Sequence, residues 1–255
     1  MCFFNAKRQI MSESRYIFGI HPVIEALKTS ENIDKVFLIR DIKPEIRKEI
    51  LQLALKSSIP VQFVPAEKMK RLIPSGNHQG VVAVVSPIVF SEIEPLVPWW
   101  FENGLTPIVV ALDEVTDVRN FGAISRTAEC AGVNALLIPW KNSAQINAQT
   151  VKTSAGALYN IPLCRSKNLF HSLQYLKQSG FQVIACSEKA SDLYTEVSYE
   201  QPTVFVFGSE EYGIGEEILR MSDHIVKIPL HGTVGSLNVS VATGIVLYEA
   251  VRQRN

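Results

Sequence analysis

The segment from Ile228 to Arg254 constrains this chain more than any other, because a short apolar strand there runs into a polar, glycine-bearing loop that opens an apolar helix. Val226–Leu230 is rich in β-formers and closed by Pro229, whereas Val239, Val241, Ala242, Ile245, Val246 and Ala250 supply helically spaced apolar positions. Between them, Ser236, Asn238 and Ser240 are residue types that cap helices, so backbone N–H groups and side-chain amides and hydroxyls gather where the helix begins. Such junctions build ligand sites, although many of them only connect and cap.

Two further segments repeat the pattern. The strand Ile108–Leu112 leads into a loop carrying Asn120 and Gly122 and then a helix carrying Arg126; the β-branched and aromatic run Thr203–Phe207 feeds Gly208, Glu210, Gly213 and Gly215 before another helix. Three such loops in one chain make convergence on a single pocket the natural reading. Strands and helices alternate throughout this half, which predicts a mostly parallel sheet with helices on both faces and ligands at the carboxyl ends of the strands.

Together the motifs N-x-G-x-x-x-R (Asn120, Gly122, Arg126), G-x-E-x-x-G (Gly208, Glu210, Gly213) and S-L-N (Ser236, Leu237, Asn238) resemble the SpoU/TrmH family of the SPOUT superfamily, S-adenosylmethionine-dependent RNA ribose 2'-O-methyltransferases. The third motif is most similar to bacterial guanosine ribose methylases of 23S ribosomal RNA; transfer RNA is the alternative substrate. The resemblance implies a parallel α/β domain with a deep trefoil knot formed by the C-terminal segment, paired as a homodimer. It places Gly208, Gly213, Ile228 and Leu237 at the cofactor. It gives Arg126 the central role toward the 2'-OH, with Asn120, Glu210, Ser236 and Asn238 completing the catalytic set; Asn120 is suited to fixing the loop and Arg126, and Glu210 is a candidate to hold either Arg126 or nearby backbone N–H groups. Without the motifs, Ile228 and Leu237 would read as core packing, and each polar residue as a cap or turn. One departure stands out: where the family often has D-P-x-N, this chain has Asp117, Val118, Arg119 and Asn120.

The first half reads as a smaller α/β unit over 15–90, with a helix at His21–Lys28, a strand at Lys35–Ile39, a helix at Pro44–Lys56 and strands at Val61–Val64 and Gly80–Val85. Its YIFGIHPVIEAL and NHQGVVA segments are similar to the family's ribosomal-protein-like RNA substrate-binding domain. Lys68, Lys70 and Arg71, followed by Asn77, His78 and Gln79, are the candidate RNA contacts there, against the plainer reading of a solvated helix face. Residues 1–14 read as a leader, with Met11 as an alternative start. The proline-bearing stretch 91–105 reads as a linker ahead of the domain over 106–255; Trp99 and Trp100 in it could stack on bases but read better as anchors.

Composition narrows the classes. A 47% hydrophobic content suffices for packed cores, and no apolar run approaches the roughly 20 residues that span a bilayer. No signal peptide is evident. Cys2, Cys130, Cys164 and Cys186 are scattered without a C-x-x-C pair and the histidines lack ligand spacing, so a reduced, cytoplasmic protein without a structural metal is expected. G-x-G-x-x-G and G-K-[ST] are absent, which disfavours a nicotinamide-dependent dehydrogenase and a P-loop enzyme. Twenty-five basic residues balance 25 acidic ones. Residues 1–105 carry 13 basic and 11 acidic side chains and the remainder 12 and 14, so any RNA must be held by local patches. A non-catalytic RNA-binding or ribosome-assembly module is the reading from another class.

Overall fold

A computed structural model describes residues 16–29, 32–57 and 59–255. The leader read at 1–14, with Met11, lies outside them. The chain divides into two compact units, at Pro87 and Ile88.

The N-terminal unit comprises β1 (Tyr16–Phe18), α1 (Ile20–Lys28), β2 (Ile33–Ile39), α2 (Pro44–Lys56), β3 (Val61–Val64), α3 (Ala66–Leu72) and β4 (Val81–Val85). Its sheet runs β1-β4-β2-β3, with only β2 and β3 parallel. Alternate residues of β2 and β4 serve opposite faces: Val36, Leu38, Val81 and Ala83 pack with α1 and α2, whereas Phe37, Val82 and Val84 pack with Met69 and Ile73. β1 is not expected from the sequence, whereas α3 is the helix of the plainer reading of the basic cluster. The basic cluster Lys68, Lys70 and Arg71 lies on α3.

The second unit contains β5 (Phe90–Ser91), α4 (Leu96–Glu102), β6 (Ile108–Asp113), α5 (Val118–Cys130), β7 (Ala135–Pro139), α6 (Ala148–Thr153), β8 (Leu163–Ser166) and α7 (Leu169–Gln178). It continues with β9 (Gln182–Cys186), β10 (Asp192–Leu193), β11 (Thr203–Gly208), α8 (Glu216–Met221), β12 (His224–Lys227) and α9 (Val239–Arg254). The eight strands are all parallel, in the order β10-β12-β9-β11-β6-β7-β8-β5. Buried on both faces, they read as continuous apolar runs with period two. Val110, Leu112, Phe205 and Phe207 face α5 and α9; Val109, Ala111, Val204 and Val206 face α4, α7 and α8.

The stretch expected as a linker is part of this unit. Phe90 and Ser91 pair with β8, and Val97 and Trp100 of α4 are buried, Trp100 lying 6.3 Å from the Phe181 ring. Trp99 stays exposed. An amphipathic turn of apolar residues gains more by covering the sheet than by remaining a spacer. The strand expected over Val226–Leu230 lies earlier, at His224–Lys227, because Pro229 brings no N–H to a ladder.

Strand order creates the site. From β6 the chain winds outward through β7 and β8, then α7 carries it to the other side, where β9 and β11 follow. The carboxyl ends of β6 and β11 therefore flank the point where the winding reverses, the crevice in which parallel α/β sheets bind ligands.

Candidate active site

Asp113 at the end of β6 stands in register with Gly208 at the end of β11. Its Oδ2 accepts a hydrogen bond from Gly215 N–H at 2.8 Å, tying the two strand ends together. Burial pushes the Asp113 carboxyl above its ordinary range, opposed by the Gly215 N–H and reinforced by Glu114 and Glu217. Four residues on, Asp117 Oδ1 accepts from the N–H groups of Arg119 and Asn120 at 2.9 and 2.8 Å and caps α5. Asn120 and Gly122 thus stand inside the helix, in its first turns, and not in the loop expected before it.

Asn120, Glu210 and Asn238, separated by up to 118 residues in sequence, close into one cluster. Asn120 Nδ2 donates to Glu210 Oε1 at 3.0 Å, and Asn238 Nδ2 donates to Asn120 Oδ1 at 2.9 Å and to Glu210 Oε1 at 2.8 Å. Asn238 Oδ1 accepts from Ser240 N–H at 3.0 Å and Ser240 Oγ at 2.6 Å, so the residue that caps α9 also knots the three loops together. Its side-chain hydrogen-bonding capacity is then full. Asn120 keeps a second N–H and Glu210 keeps Oε2, and these are the atoms of the cluster left to meet a ligand.

Beside the cluster lies a cleft of about 910 Å³, counting the space open to solvent. Phe207, Val226 and Val246 line its apolar part; Ser187, Glu188, Lys189, Glu210 and Ser236 bring polar groups. All four residues expected at a cofactor, Gly208, Gly213, Ile228 and Leu237, line it. Glu210 belongs to both cleft and cluster.

With this geometry in hand, the comparisons with known proteins are direct. Residues 107–248 match the SpoU rRNA Methylase family, and residues 16–90 match the RNA 2'-O ribose methyltransferase substrate-binding family. The chain belongs to the SpoU rRNA methylase family. YacO of Bacillus subtilis, named as a TrmH family tRNA/rRNA methyltransferase, is 33% identical over 94% of this chain and 96% of its own length. An AdoMet-bound rRNA methyltransferase from Sinorhizobium meliloti superposes with a TM-score of 0.59 at 27% identity, covering 93% of this chain and 86% of that one. The TrmH/SpoU tRNA modifying enzyme of A. aeolicus gives 0.55 at 35% identity, over 63% of this chain and 83% of that one.

The SpoU motif positions divide into those that meet the cleft and those that build it. A Cβ on Gly208 would stand 2.1 Å from the carbonyl carbon and oxygen of Gly213, so this glycine is demanded by its own loop folding back over it. Gly213 has φ +71°, the left-handed region that glycine enters without strain. Gly122 is buried against α6, where a Cβ would lie 2.6 Å from Thr153 Cβ; it lets two helices approach and touches no cleft. At the departure from D-P-x-N, Val118 is the first residue of α5 and Asp117 still caps it, so the helix start survives without proline, which merely suits that position.

Arg126 stands apart from the SpoU cluster. Six residues beyond Asn120 on α5, it lies about 9 Å further along the axis and roughly a third of a turn around it. It is exposed, and its side chain makes no hydrogen bond or ion pair among the described residues. Glu210, expected as its partner, bonds the two asparagines instead, because α9 and α5 bring their amides to it first.

Sequence reasoning missed one wall of the SpoU cleft. Cys186 ends β9, and Ser187, Glu188 and Lys189 follow it, at the same sheet edge as the carboxyl end of β11. The available signal was the parallel alternation itself, which sends every strand's carboxyl end to one edge. Burial holds the Cys186 thiol above its usual pKa, and the side chain packs against the core between the sheet and α5 and α9. In the N-terminal unit, Lys68 lies 5.0 Å from the Phe37 ring, His78 Nδ1 accepts from Gly80 N–H at 3.0 Å and Gln79 Oε1 accepts from Ile20 N–H at 3.1 Å. Part of that candidate RNA cluster is therefore committed to its own loop, while Lys70 and Arg71 are exposed at the end of α3.

Proposed function

We propose that this chain is an S-adenosylmethionine-dependent RNA ribose 2'-O-methyltransferase acting on a guanosine of 23S ribosomal RNA. The observation that carries the reading is the junction of cleft and cluster: one wall of the cleft is Glu210, which is hydrogen-bonded to Asn120 and Asn238 from the other two motif loops. The cleft fits the cofactor's chemistry, with Phe207, Val226 and Val246 offering an apolar surface to an adenine and Ser187, Glu188, Lys189 and Ser236 offering polar groups to a ribose and a charged amino acid. When bound, the cofactor supplies an electrophilic methyl group.

The protein's own residues then have distinct tasks. Gly208, Gly213, Ile228 and Leu237 hold the cofactor, largely through main chain and apolar contact. Asn238 fixes Glu210 and Asn120, whose free Oε2 and N–H orient the target ribose for in-line approach, where positioning contributes much of the acceleration. Arg126, a permanent cation, bonds the 2'-oxygen or the adjoining phosphate and stabilises charge developing on that oxygen.

A match over residues 16–90 to a substrate-binding family and the 27%-identical rRNA methyltransferase spanning 93% of this chain support ribosomal RNA. The 35%-identical tRNA modifying enzyme, which covers 63% of the chain, favours transfer RNA as the second reading. Mapping 2'-O-methylation in both RNA pools from a deletion strain decides between them: loss of one methyl-guanosine in 23S RNA supports the first, and loss confined to transfer RNA replaces it with the second. Calorimetry with S-adenosylmethionine tests the enzyme itself, since folded protein that binds none at millimolar cofactor would be an RNA-binding module.

The reading includes a cytoplasmic location, the trefoil knot and a homodimer through the C-terminal unit. Val241 and Tyr248 leave apolar surface exposed on α9, which supports the pairing. Light scattering checks it; a stable monomer that methylates RNA would contradict it.

A further inference from the structure

The basic side chains of the second unit fall into two populations. Residues 169–255 carry six basic and ten acidic residues, and their cations are mostly engaged. Lys177 pairs with Asp223 at 2.7 Å, Arg220 with Glu216 and Arg252 with Glu249 at 2.6 Å each, and Arg254 donates to the carbonyls of Tyr199, Thr106 and Gln201. Lys189 and Lys227 line the cleft.

Residues 106–168 carry six basic and four acidic residues. Five of those cations, Arg119, Arg126, Lys141, Lys152 and Lys167, are exposed, and none of their side chains makes a hydrogen bond or ion pair among the described residues. Three of the acids are committed: Asp113 accepts from Gly215 N–H, Asp117 caps α5, and Glu114 Oε1 accepts from Asn142 Nδ2 at 2.6 Å. Glu129, half-buried on α5, is the acid nearest Arg126 in sequence.

Local contacts join the five into an arc. Trp140 N–H donates to Ser166 O at 2.6 Å, so the chain leaves β7 and β8 side by side and sets Lys141 beside Lys167. Asn142 on Glu114, with Ala144 N–H on Val115 O at 3.0 Å, ties that loop to the start of α5, where Arg119 stands. The contact of Gly122 with Thr153 places α6 against α5, with Lys152 adjacent to Thr153 and Arg126 one turn beyond Gly122 on the same side.

Leaving five cations unpaired in one segment while engaging most of those in the other has a physical reason if a polyanion neutralises them, since each phosphate contact releases counterions and gains free energy. We infer that this arc is the phosphate track for the RNA strand flanking the target ribose, which reaches the Asn120 and Glu210 cluster from the β7 and β8 side, opposite the cofactor cleft. The inference rests on the RNA-methylating reading for the identity of the polyanion, and is tested by binding alone.

The test measures affinity for a fluorescent oligouridine strand and for total ribosomal RNA across a salt series, without cofactor, for the full chain and for Lys141→Gln/Lys152→Gln/Lys167→Gln. At about 0.7 per phosphate contact on single strands, the triple variant should lose about 2 from the slope of log affinity against log salt on oligouridine. Lys177→Gln/Arg220→Gln, which neutralises paired cations, should keep the full slope. An unchanged slope in the triple variant, or RNA binding without salt dependence in the parent, overturns the track. So does weakened binding accompanied by a fall in molar mass by light scattering, which assigns the arc to contact between copies. Salt-dependent RNA binding by a chain that fails to bind S-adenosylmethionine would instead sink the enzymatic reading and leave the track standing.

Discussion

The two sides of the sheet edge around β6 and β11 handle recognition differently. On the β9, β11 and β12 side, loops fold back to wall a cleft, backbone crosses backbone at Gly208 and Gly213, and most cations are engaged by acids or carbonyls. On the β6, β7 and β8 side, five exposed cations, Arg119, Arg126, Lys141, Lys152 and Lys167, make no hydrogen bond or ion pair among the described residues. Enclosure suits a small ligand that must be removed from water, because shape and desolvation select it. An open row of charges suits a long polymer whose binding scales with the number of phosphates met. The Asn120, Glu210 and Asn238 cluster stands where the two surfaces meet.

The sharpest way to break this contrast is Arg126→Ala. If Arg126 acts on the RNA side, single-turnover methyl transfer at saturating RNA and cofactor should fall by about 10²–10³, the usual cost of removing a preorganised electrostatic donor. Cofactor affinity by calorimetry should hardly change. Arg126→Lys should stay impaired, because an ammonium lacks the planar fork. A near-normal rate would remove Arg126 from the chemistry.

Gly208→Ala addresses the enclosed side. A methyl group placed 2.1 Å from Gly213 backbone cannot be absorbed by side-chain rotation, so the loop must move. Thermal or denaturant unfolding should show a loss of about 1–3 kcal/mol, the range of overpacked sites. Cofactor binding should weaken while the salt slope for RNA stays the same. Intact cofactor affinity would show that the crossing of Gly208 and Gly213 does not shape the cleft.

Asn238 separates the cluster from the cap it also provides. Asn238→Ala should cost about 0.5–2 kcal/mol in stability and lower the rate, by unpinning Glu210 and Asn120. Asn238→Ser keeps an oxygen for the cap and should recover most of the stability without recovering the rate. Equal recovery of both would reduce the cluster to a helix cap.

The smallest effect is expected at Lys177. Burial raises the Asp223 carboxyl, but hydrogen bonds from Lys177 and Val183 N–H outweigh it and hold the group below its ordinary range. A carboxyl whose folded pKa is lowered contributes stability that is present above its unfolded pKa of about 4 and is lost as pH falls through the folded value. Lys177→Met should therefore destabilise by at most about 1 kcal/mol at neutral pH and flatten the acid limb of the stability profile. An unchanged acid limb would assign the effect to the Val183 contact.

Much of this molecule was legible one residue at a time. The helix at Pro44–Lys56 and the strand at Val61–Val64 follow from period and punctuation, and their observed limits coincide with those read from the sequence. The three motif loops were visible because strands, glycines and capping residues recur together, and the four residues expected at a cofactor do line one cleft. The small strand Tyr16–Phe18 escaped, being too short for a periodic signal. The stretch 91–105 misled because prolines suggest a spacer, whereas Trp100 had a sheet face to cover.

What sequence alone determined, then, is the inventory: which segments are strands and helices, and which polar residues end them. Local pattern encodes these because the forces involved act over a few residues. Only the tertiary structure decided the meetings. Strand order placed β11 between β6 and β9, which brought Glu210 to Asn120 across 90 residues and to Asn238 across 28. The same order added Ser187 and Lys189 to the cleft and left Arg126 outside the cluster its motif suggested. Nothing in a local window encodes which strand pairs with which, because pairing is settled by the packing of the whole sheet between its two layers of helices.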